Sequence, residues 1–337
     1  MTTMVAPTST TTVNASATGS FPIVCTNPNC DEKKASTATT SSSSESKPLP
    51  KCALTNKCVE ACAAYGRVCP CISRSAGRAA CEAIKKMREN SLIFTSEEPK
   101  FRKLNPDDLL IQEQLLGEGG FSVVKACTLK TDPDRKLAIK YLKRKAMVNQ
   151  HQFEHGASDL AQEAHFLSEL KHPHIIQLHG VTAGSVQTNV ASGKDCGFFI
   201  IVDRLYDTLE KRLERWREEQ VKQNNGLLSR MTRDFKERKR QELRERLKVA
   251  FMIADAVCYL HDRNIIFRDL KPDNVGFDSE GVLKLFDFGL AKELKPGQAN
   301  ADGRYELTGN TGSRRYMAPE GKRFESVECD ICYLLVL

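Results

Sequence analysis

An acidic residue in an apolar stretch is the first feature of this chain that indicates chemistry. Residues 285–292 read LFDFGLAK, and apolar side chains surround Asp287. A carboxylate in such a place is costly unless it meets a partner. Thirteen residues earlier stands Asn274, and the segments VGFD and VLKLF around the turn SEG predict a hairpin that brings the two together. Their hard oxygen atoms suit a Mg²⁺ ion that bridges phosphate oxygens.

A second group of polar residues lies on one short loop. Residues 267–274 read FRDLKPDN, in which Pro272 restricts the backbone. Within six positions this loop carries Asp269, Lys271 and Asn274. An acid, a cation and an amide oxygen on one rigid loop can bind a proton donor, a phosphate and a metal ion together. The loop therefore predicts a site for phosphate chemistry.

Upstream lies a glycine cluster: residues 116–124 read LGEGGFSVV, with glycines at 117, 119 and 120. Positions without a Cβ let backbone amides approach an anion closely. A Gly-rich turn alone is a weak indication, because many such turns only reverse the chain. Here alternating apolar and polar residues stand on both sides, which predicts a hairpin whose tip covers a pocket.

A lysine near the middle of a predicted strand is the next candidate. Lys140 ends the apolar triplet of KLAIKYL, residues 136–142, and an inner lysine is costly unless it meets an anion. The next segment predicts a helix that carries Glu163, with Ser158 as its N-cap and Pro173 just past its end. An edge lysine would need no partner, but the pairing with Glu163 is the interpretation we favour.

From about residue 109 to residue 206 the sequence predicts mostly strands and one helix, and the chain after it begins with helices. Residues 207–248 are densely charged with both signs interleaved, which predicts two water-exposed helices linked by NNGLLS. A docking arm for an acidic partner is the alternative for this stretch. Nucleic-acid binding is a weaker one, because aromatic residues are few there. Residues 247–264 are apolar on most faces and predict a buried helix.

The composition is that of a globular chain with one or two domains: 337 residues, 40% hydrophobic and 28% charged. No apolar run approaches the roughly 20 residues of a membrane-spanning helix. The start, MTTMVAPTST, lacks the features of a secretory signal, so we expect an intracellular, cytoplasmic protein. The formal net charge of +7 indicates attraction to acidic surfaces, and neither a membrane nor a nucleic-acid partner is expected.

The N-terminal region differs in composition from the rest. Residues 1–50 are rich in Ser, Thr, Ala and Pro, which predicts a disordered tail. Eight of the thirteen cysteines lie between Cys25 and Cys81. For the cysteine-rich segment and linker, residues 51–100, a zinc site stays open, but reduced surface thiols on a loosely ordered segment are favoured, since paired Cys-x2-Cys spacings and nearby histidines are lacking. A short helix is predicted at AACEAIKKMREN, residues 79–90.

In this order the chain contains GEGGFSVV, LAIK, the helix with Glu163, RDLKPDN, DFG at residues 287–289 and APE at residues 318–320. Together these motifs resemble those of the eukaryotic protein kinases, and the resemblance covers about residues 109–330. DLKPDN and TGSRRYMAPE are similar to the serine/threonine branch, and HPHIIQLHG is somewhat similar to its tyrosine-kinase-like group. The resemblance implies ATP and Mg²⁺ as cofactors and protein substrates with Ser or Thr hydroxyls.

The resemblance implies an α+β, two-lobed fold that follows the disordered tail. A small, mainly β N-lobe with one helix would span about 109–203, and a mainly helical C-lobe about 204–337, with 207–248 as a charged helical insert. The kinase domain would then be residues 109–337 and would lack the later C-lobe helices of the family, because it ends soon after the APE motif.

The resemblance also implies roles for the matching residues. The catalytic residues would be Asp269, Lys271, Lys140 and Glu163, and the metal ligands would be Asn274 and Asp287. The residues in contact with ATP would be Leu116, Gly117, Glu118, Gly119, Gly120, Phe121, Ser122, Val123, Val124, Ala138, Lys140, Asp203 and Leu205. In the family, the catalytic Asp aligns the substrate hydroxyl, the Lys–Glu pair holds the α- and β-phosphates, and the loop lysine neutralises the γ-phosphate.

The resemblance further implies a regulatory phosphate. Arg268 precedes the catalytic acid, where the family often receives an activation-loop phosphate. Thr308 and Thr311 are the candidate sites, with Tyr305 behind them. A phosphate there would add about −1.5 to −2 charges and could order the loop.

Three departures from the family pattern qualify these expectations. Ser122 replaces the third loop glycine, which is a mild change, and Phe267 replaces a histidine whose main role is packing. After Glu320 only GKRFESVECDICYLLVL follows, in which Asp330 matches the start of the next long helix, while the arginine that pairs with Glu320 in the family would lie further on. The alternative to an active enzyme is therefore a catalytically weak or inactive kinase-like binding module.

Overall fold

The computed structural model describes residues 68–95, 101–191, 196–224, 233–301, 304–317 and 327–329. The predictions for the tail 1–50, for the cysteines before Val68, for the APE motif and for Asp330 lie outside these residues. Within them, a mainly β lobe is followed by a mainly helical one, which confirms the predicted two-lobed α+β fold.

One sheet of six strands forms the first lobe, in the spatial order β1-β5-β6-β4-β3-β2. The strands are β1 (Lys103–Leu104), β2 (Leu109–Glu118), β3 (Ser122–Leu129), β4 (Asp132–Leu142), β5 (Leu178–Thr182) and β6 (Phe199–Asp203). β1 lies parallel to β5, and the other neighbouring strands are antiparallel. The predicted hairpin with a Gly-rich tip is therefore present as β2 and β3.

Six helices and seven short strands complete the described residues. The helices are α1 (Pro70–Arg88), α2 (Arg144–Met147), α3 (Gln150–Glu169), α4 (Val186–Ala191), α5 (Leu209–Asn224) and α6 (Arg233–His261). The short strands are β7 (Asp207–Thr208), β8 (Ile265–Ile266), β9 (Val275–Phe277), β10 (Leu283–Leu285), β11 (Lys292–Glu293), β12 (Tyr305–Leu307) and β13 (Val327–Cys329). The first lobe thus carries α2 and α4 in addition to the one helix that the sequence predicts, which is α3.

Helix α3 is longer than predicted, because its N-cap is Asn149. The Asn149 side chain accepts a hydrogen bond from the amide of Gln152 at 3.0 Å, which satisfies one of the free donors at the helix start. The predicted N-cap, Ser158, is wrong. Ser158 lies inside the helix, where its hydroxyl donates to the carbonyl oxygen of Glu154 at 2.8 Å.

The second charged helix and the predicted buried helix are one continuous helix, α6. Its charged first half is largely exposed, and from Val249 onward one face is buried. The opposite face exposes Leu247 and Phe251, so the predicted burial holds for one face only. Of residues 207–248, the described ones form β7, α5 and the first half of α6. That they are an insert stays a prediction.

Residues 68–95 fold onto the first lobe. The structure places a helix at Pro70–Arg88, nine residues longer at its start than predicted, and Pro70 suits its first position. The thiol of Cys69 is buried and those of Cys71 and Cys81 are partly buried, so the surface-thiol interpretation is wrong for Cys69. Among the described residues, no three His, Cys, Asp or Glu side chains are grouped as metal ligands would be.

The main core lies between the sheet and α3 and extends to the buried face of α6. Among the described residues six phenylalanine side chains are fully buried, and this core includes five of them: Phe153, Phe166, Phe198, Phe277 and Phe288. A smaller cluster covers the other face of the sheet. None of the helices in the described ranges has the length and apolar character to cross a bilayer.

Candidate active site

Lys140 on β4 is the centre of the site. β4 lies between β3 and β6, and residues beside Lys140 such as Ile139 are fully buried. The Lys140 ammonium contacts the carboxylate of Glu163 on α3 at 2.6 Å and that of Asp287 at 2.9 Å. The Lys140 ammonium therefore links strand β4 to helix α3 and to the apolar stretch around Asp287.

The charged side chains of this cluster shift one another's pKa values. Burial alone would lower the pKa of Lys140, but the carboxylates of Glu163 and Asp287 outweigh burial and raise it. The Lys140 ammonium in turn lowers the pKa of Asp287. Burial raises the pKa of Glu163 to about 7, against the opposing effect of Lys140. Lys140 therefore keeps its positive charge in the wall of the cleft.

Asp269 is the centre of a second network, on the loop between β8 and β9. It is 8% exposed, and its two oxygens are both hydrogen-bonded. The Ser313 amide donates to one oxygen at 2.8 Å, and the Asn274 side-chain amide donates to the other at 2.9 Å. The Lys271 ammonium lies 2.8 Å from the second oxygen and 2.8 Å from the Ser313 hydroxyl. Asp269 is thus held in one orientation by three donors, two from its own loop and one from Ser313.

The hairpin of β9 and β10 brings Asp287 back to Asn274, as the spacing predicts. The amide of Phe286 donates to the carbonyl oxygen of Asn274 at 3.1 Å, which makes Asp287 a direct neighbour of that residue. Asp287 has the left-handed backbone angles φ 71° and ψ 69°, which are uncommon for a residue other than glycine. Strained backbone angles of this kind persist only where the surrounding structure imposes them. They are frequent at functional sites.

Phe267 has the packing role that the sequence predicts for it. Its ring is 5% exposed and meets the ring of Phe288 edge to face, at 4.9 Å between centroids and 73° between planes. Phe288 is fully buried and directly follows Asp287. The aromatic pair therefore joins the loop that carries Asp269 to the turn that carries Asp287.

The Gly-rich tip lies between the sheet and α3. The amide of Gly119 donates to the Ser122 carbonyl at 2.8 Å and closes the turn between β2 and β3. Phe121 rests against α3 at Gly156, where an added Cβ would lie 3.0 Å from the Phe121 Cβ. Glu118 pairs with Lys143 at 2.7 Å, and this contact lowers the pKa of Glu118. The tip thus lies beside α3, and Val124 of the same stretch is paired with Lys140 in the sheet.

The connection after β6 is held by its own polar contacts. The Asp203 amide donates to the Gln177 carbonyl at 3.1 Å, and its carboxylate accepts from the Gln177 amide and meets His179 at 2.7 Å. Leu205 packs over Gly276, where an added Cβ would lie 2.5 Å from its methyl group. An adenine contact at Asp203 would therefore use its carbonyl oxygen. Ala138, also predicted for this pocket, is buried opposite Val202 in the sheet.

Arg268 is near another cation. Its Nε donates to the Leu290 carbonyl at 2.6 Å, and its charge contributes, after burial, to a lowered pKa of Lys292. A negative group between two such cations would relieve their repulsion. The hydroxyl of Thr311 donates to the Thr308 carbonyl at 3.0 Å. A phosphate on either threonine stays a prediction.

The sequence reasoning missed one acidic residue of the site, Asp159. It lies one helical turn before Glu163 on α3, beside Gly289, where an added Cβ would lie 3.3 Å from the Asp159 Cβ. Burial, and then the charge of Asp287, raise the pKa of Asp159 to about 6. The sequence could have indicated Asp159, because Asp159 stands four residues before Glu163 and residues four apart on a helix share one face.

A comparison with known families decides the identity of this fold. The family model described as "Protein kinase domain" matches residues 110–330, well over half of the chain. The chain belongs to the eukaryotic protein kinase superfamily. In kinase terms, α3 is the helix that carries the ion-pair glutamate, the loop around Asp269 is the catalytic loop, and residues from Asp287 onward form the activation segment.

Curated relatives of this chain are also kinases, and one of them is named a serine/threonine-protein kinase. It is 30% identical over 218 residues to a cGMP-dependent protein kinase of Plasmodium berghei (strain Anka), a match of 63% of this chain and 19% of the relative. It is 32% identical over 207 residues to serine/threonine-protein kinase Sgk1 of Fundulus heteroclitus, which covers 61% and 38%. A cGMP-dependent protein kinase of Drosophila melanogaster is 27% identical over 268 residues, which covers 74% and 24%. The chain thus spans well under half of the length of these relatives.

Proposed function

We propose that this chain transfers the γ-phosphoryl group of ATP to Ser or Thr hydroxyls of protein substrates. The observation that carries the proposal is the convergence of two networks, Lys140 with Glu163 and Asp287, and Asp269 with Lys271 and Asn274. These residues come from four separate stretches of the chain. A merely structural need would not bring so many charged groups to one cleft, because each desolvated charge is costly.

ATP would lie beneath the Gly-rich tip, with its phosphates toward Lys140. The glycines let the backbone approach phosphate oxygens, and Lys140 supplies a permanent positive charge beside them. The Glu163 carboxylate holds the ammonium by a 2.6 Å contact, so the charge is in place before the substrate arrives. The adenine would be bound by main-chain groups of Asp203 and Leu205.

Asn274 and Asp287 fit a Mg²⁺ ion. Both present hard oxygen atoms, and the Asn274 side chain is oriented because its amide nitrogen donates to Asp269. The Asp287 carboxyl stays ionised because Lys140 lowers its pKa. When bound, Mg²⁺ would neutralise charge on the phosphate oxygens.

The residues of the catalytic loop would align and activate the acceptor. A carboxylate has about four lone-pair sites, so Asp269 can accept from a Ser or Thr hydroxyl besides its present donors. In the reaction the hydroxyl oxygen bonds to the γ-phosphorus, the bond to the bridging oxygen of ADP breaks, and the hydroxyl proton passes to Asp269. Lys271 lies 2.8 Å from Asp269 and offsets charge on the phosphoryl group. Positioning and charge supply the rate.

The test is phosphoryl transfer by the purified full chain with Mg²⁺, γ-labelled ATP and a basic protein substrate. Asp269→Asn removes the proton acceptor, and we expect label incorporation to fall by about 10²-fold or more. Asp134→Asn, at an exposed position of β4, is the matched control and should retain activity. Hydrolysis of the labelled substrate should yield phosphoserine or phosphothreonine. ATP binding with no transfer by the unchanged chain would refute the proposal and support the binding-module alternative.

A further inference from the structure

Residues 68–94, here called the N-terminal brace, lie outside the matched kinase domain yet pack against its central helix. On α1 the buried side chains recur at helical spacing: Ile72, Ser73, Ala76, Ala80 and Ile84. The four apolar ones belong to the same core cluster as Phe153, Ala157, Leu160 and Ala161 of α3. The small residues of the two helices allow a close approach, and both faces leave water as they meet. The brace is therefore part of the core behind α3.

Polar and aromatic contacts fix the position of the brace along α3. Near the start of α3, the Ser75 hydroxyl donates to the Glu154 carboxylate at 2.5 Å. Near its end, the ring of Phe94 meets His165 at 5.3 Å and Phe166 at 5.6 Å, both edge to face. These contacts lie on either side of Glu163 along the helix. The brace therefore spans the whole stretch of α3 that aims Glu163 at Lys140.

The same brace is fastened to the activation segment. The Glu293 carboxylate on β11 is 5% exposed and accepts hydrogen bonds from the Ser91 hydroxyl at 2.6 Å and from the Leu92 amide at 2.7 Å. The Lys295 ammonium donates to the carbonyl oxygens of Lys86 and Glu89 at the end of α1. A cation at a helix C-terminus is favoured, because the last carbonyls there carry partial negative charge. Two buried charged groups of the activation segment are thus satisfied by the brace.

We propose that the N-terminal brace is a positioning element of the kinase site, which holds α3 and the start of the activation segment together in the arrangement that pairs Lys140 with Glu163. The two fastened elements also meet directly, since Asp159 of α3 lies against Gly289. Loosening the brace would therefore free both elements at once. None of residues 68–94 is among the predicted ATP-binding, metal-binding or catalytic residues, so the effect of the brace would reach the reaction through the placement of Glu163 and Asp287. The activity part of this inference rests on the proposed function.

The variant that tests the brace is Ser91→Glu in the full chain. A carboxylate at position 91 would face the buried Glu293 carboxylate and exclude the present hydrogen bond. We expect faster amide hydrogen exchange in peptides that cover β11 and α3, and kcat lower by about tenfold, the factor expected from losing a hydrogen bond to a charged group. KM for ATP should change by less than about twofold, because the nucleotide contacts stay. Ser91→Thr keeps the hydroxyl and should behave as the unchanged chain.

Controls separate the possible outcomes. Ser279→Glu adds the same charge at an exposed turn and should alter neither exchange in α3 nor kcat. If Ser91→Glu does not fold, Glu293→Gln keeps the shape of the contact without its charge and should show the same changes to a smaller extent. Faster exchange confined to the brace, with α3 and kcat unchanged, would overturn the proposal, and so would a rise in kcat. If the unchanged chain transfers no phosphate, the proposed function fails, while the exchange data still decide the brace.

Discussion

The catalytic loop and helix α1 are both held firmly against the molecule, but by opposite means. The loop is fixed by hydrogen bonds among buried polar groups, with Asp269 at the centre and Asn274 and Lys271 around it. Helix α1 is fixed mainly by an apolar stripe that includes Ile72 and Ile84. A hydrogen bond needs particular atoms at a particular place, whereas apolar packing needs only the right volume.

This difference has a consequence for how each region can vary. In the loop, a substitution leaves a buried donor or acceptor unpaired, so chemistry is lost even when the fold remains. In α1, an exchange of one aliphatic residue for another of similar volume costs little. Under the proposed function, the loop would therefore act on the reaction directly, and α1 would act through the stability and placement of the elements around the site. Substitutions in the two regions measure this contrast.

The largest expected effect comes from Lys140→Met. The change removes the cation between Glu163 and Asp287 and leaves two carboxylates facing each other in the cleft. We expect kcat to fall on the order of 10²–10³-fold, as for loss of one electrostatic group in an active site. The measurement is steady-state phosphoryl transfer. Lys136→Met, on the exposed part of the same strand, is the control, and an equal loss in both variants would contradict the assignment.

The counterpart in the N-terminal brace is Ile72→Ala. Ile72 is 1% exposed, so truncation leaves a cavity between α1 and α3 and should lower the free energy of unfolding by about 2–5 kcal/mol. Urea denaturation of the full chain measures it. Val221→Ala, at a position that is 61% exposed on α5, should cost no more than about 0.5 kcal/mol. If the two variants were equally stable, α1 would not be packed as described.

The catalytic loop was largely predictable from the sequence, and the reason is physical. Asp269, Asn274 and Asp287 are polar residues in apolar or rigid surroundings, where only a function justifies their cost. The returning hairpin could be predicted as well, because its strands alternate around a turn. The pairing of Lys140 with Glu163 followed from the position of a lysine inside a strand. In each case a short stretch of sequence was enough to predict a contact between residues that lie apart in the chain.

The brace and the start of α3 could not be predicted in the same way. Asn149 and Ser158 are both good N-caps, and only the packing of the added turns against the core decides between them. Ala76 and Ala80 carry no sign of the partner helix, because small apolar residues suit many surfaces. Contacts such as Ser91 with Glu293 join residues about two hundred positions apart, so no local pattern contains them. Such long-range packing appears only in the folded chain.

A smaller effect that tests the loop itself is Gly312→Ala. Gly312 has φ +102°, and an added Cβ would lie 2.2 Å from the Arg268 carbonyl oxygen. We expect a loss of stability of about 1–3 kcal/mol from the strained backbone. Catalysis should also weaken, since the shift moves the Ser313 amide away from Asp269. Thermal unfolding and kcat are the measurements. Gly297→Ala, where no atom lies within 4 Å of the added Cβ, should leave both unchanged.

The smallest expected effect is that of Phe267→His, which restores the residue type that the family usually has at this position. The ring of Phe267 packs edge to face on Phe288, and an imidazole keeps a flat ring at the same place. The unfolding free energy should fall by about 1–3 kcal/mol, because the nitrogens of the imidazole would be buried. The kcat should stay within twofold, because a flat ring remains at the same place. Phe267→Ala leaves a cavity and should cost about 3–5 kcal/mol. If Phe267→His lost as much activity as Phe267→Ala, Phe267 would act through more than packing. The distinction between hydrogen-bonded residues that act on the reaction and apolar residues that act on stability would then fail within the site.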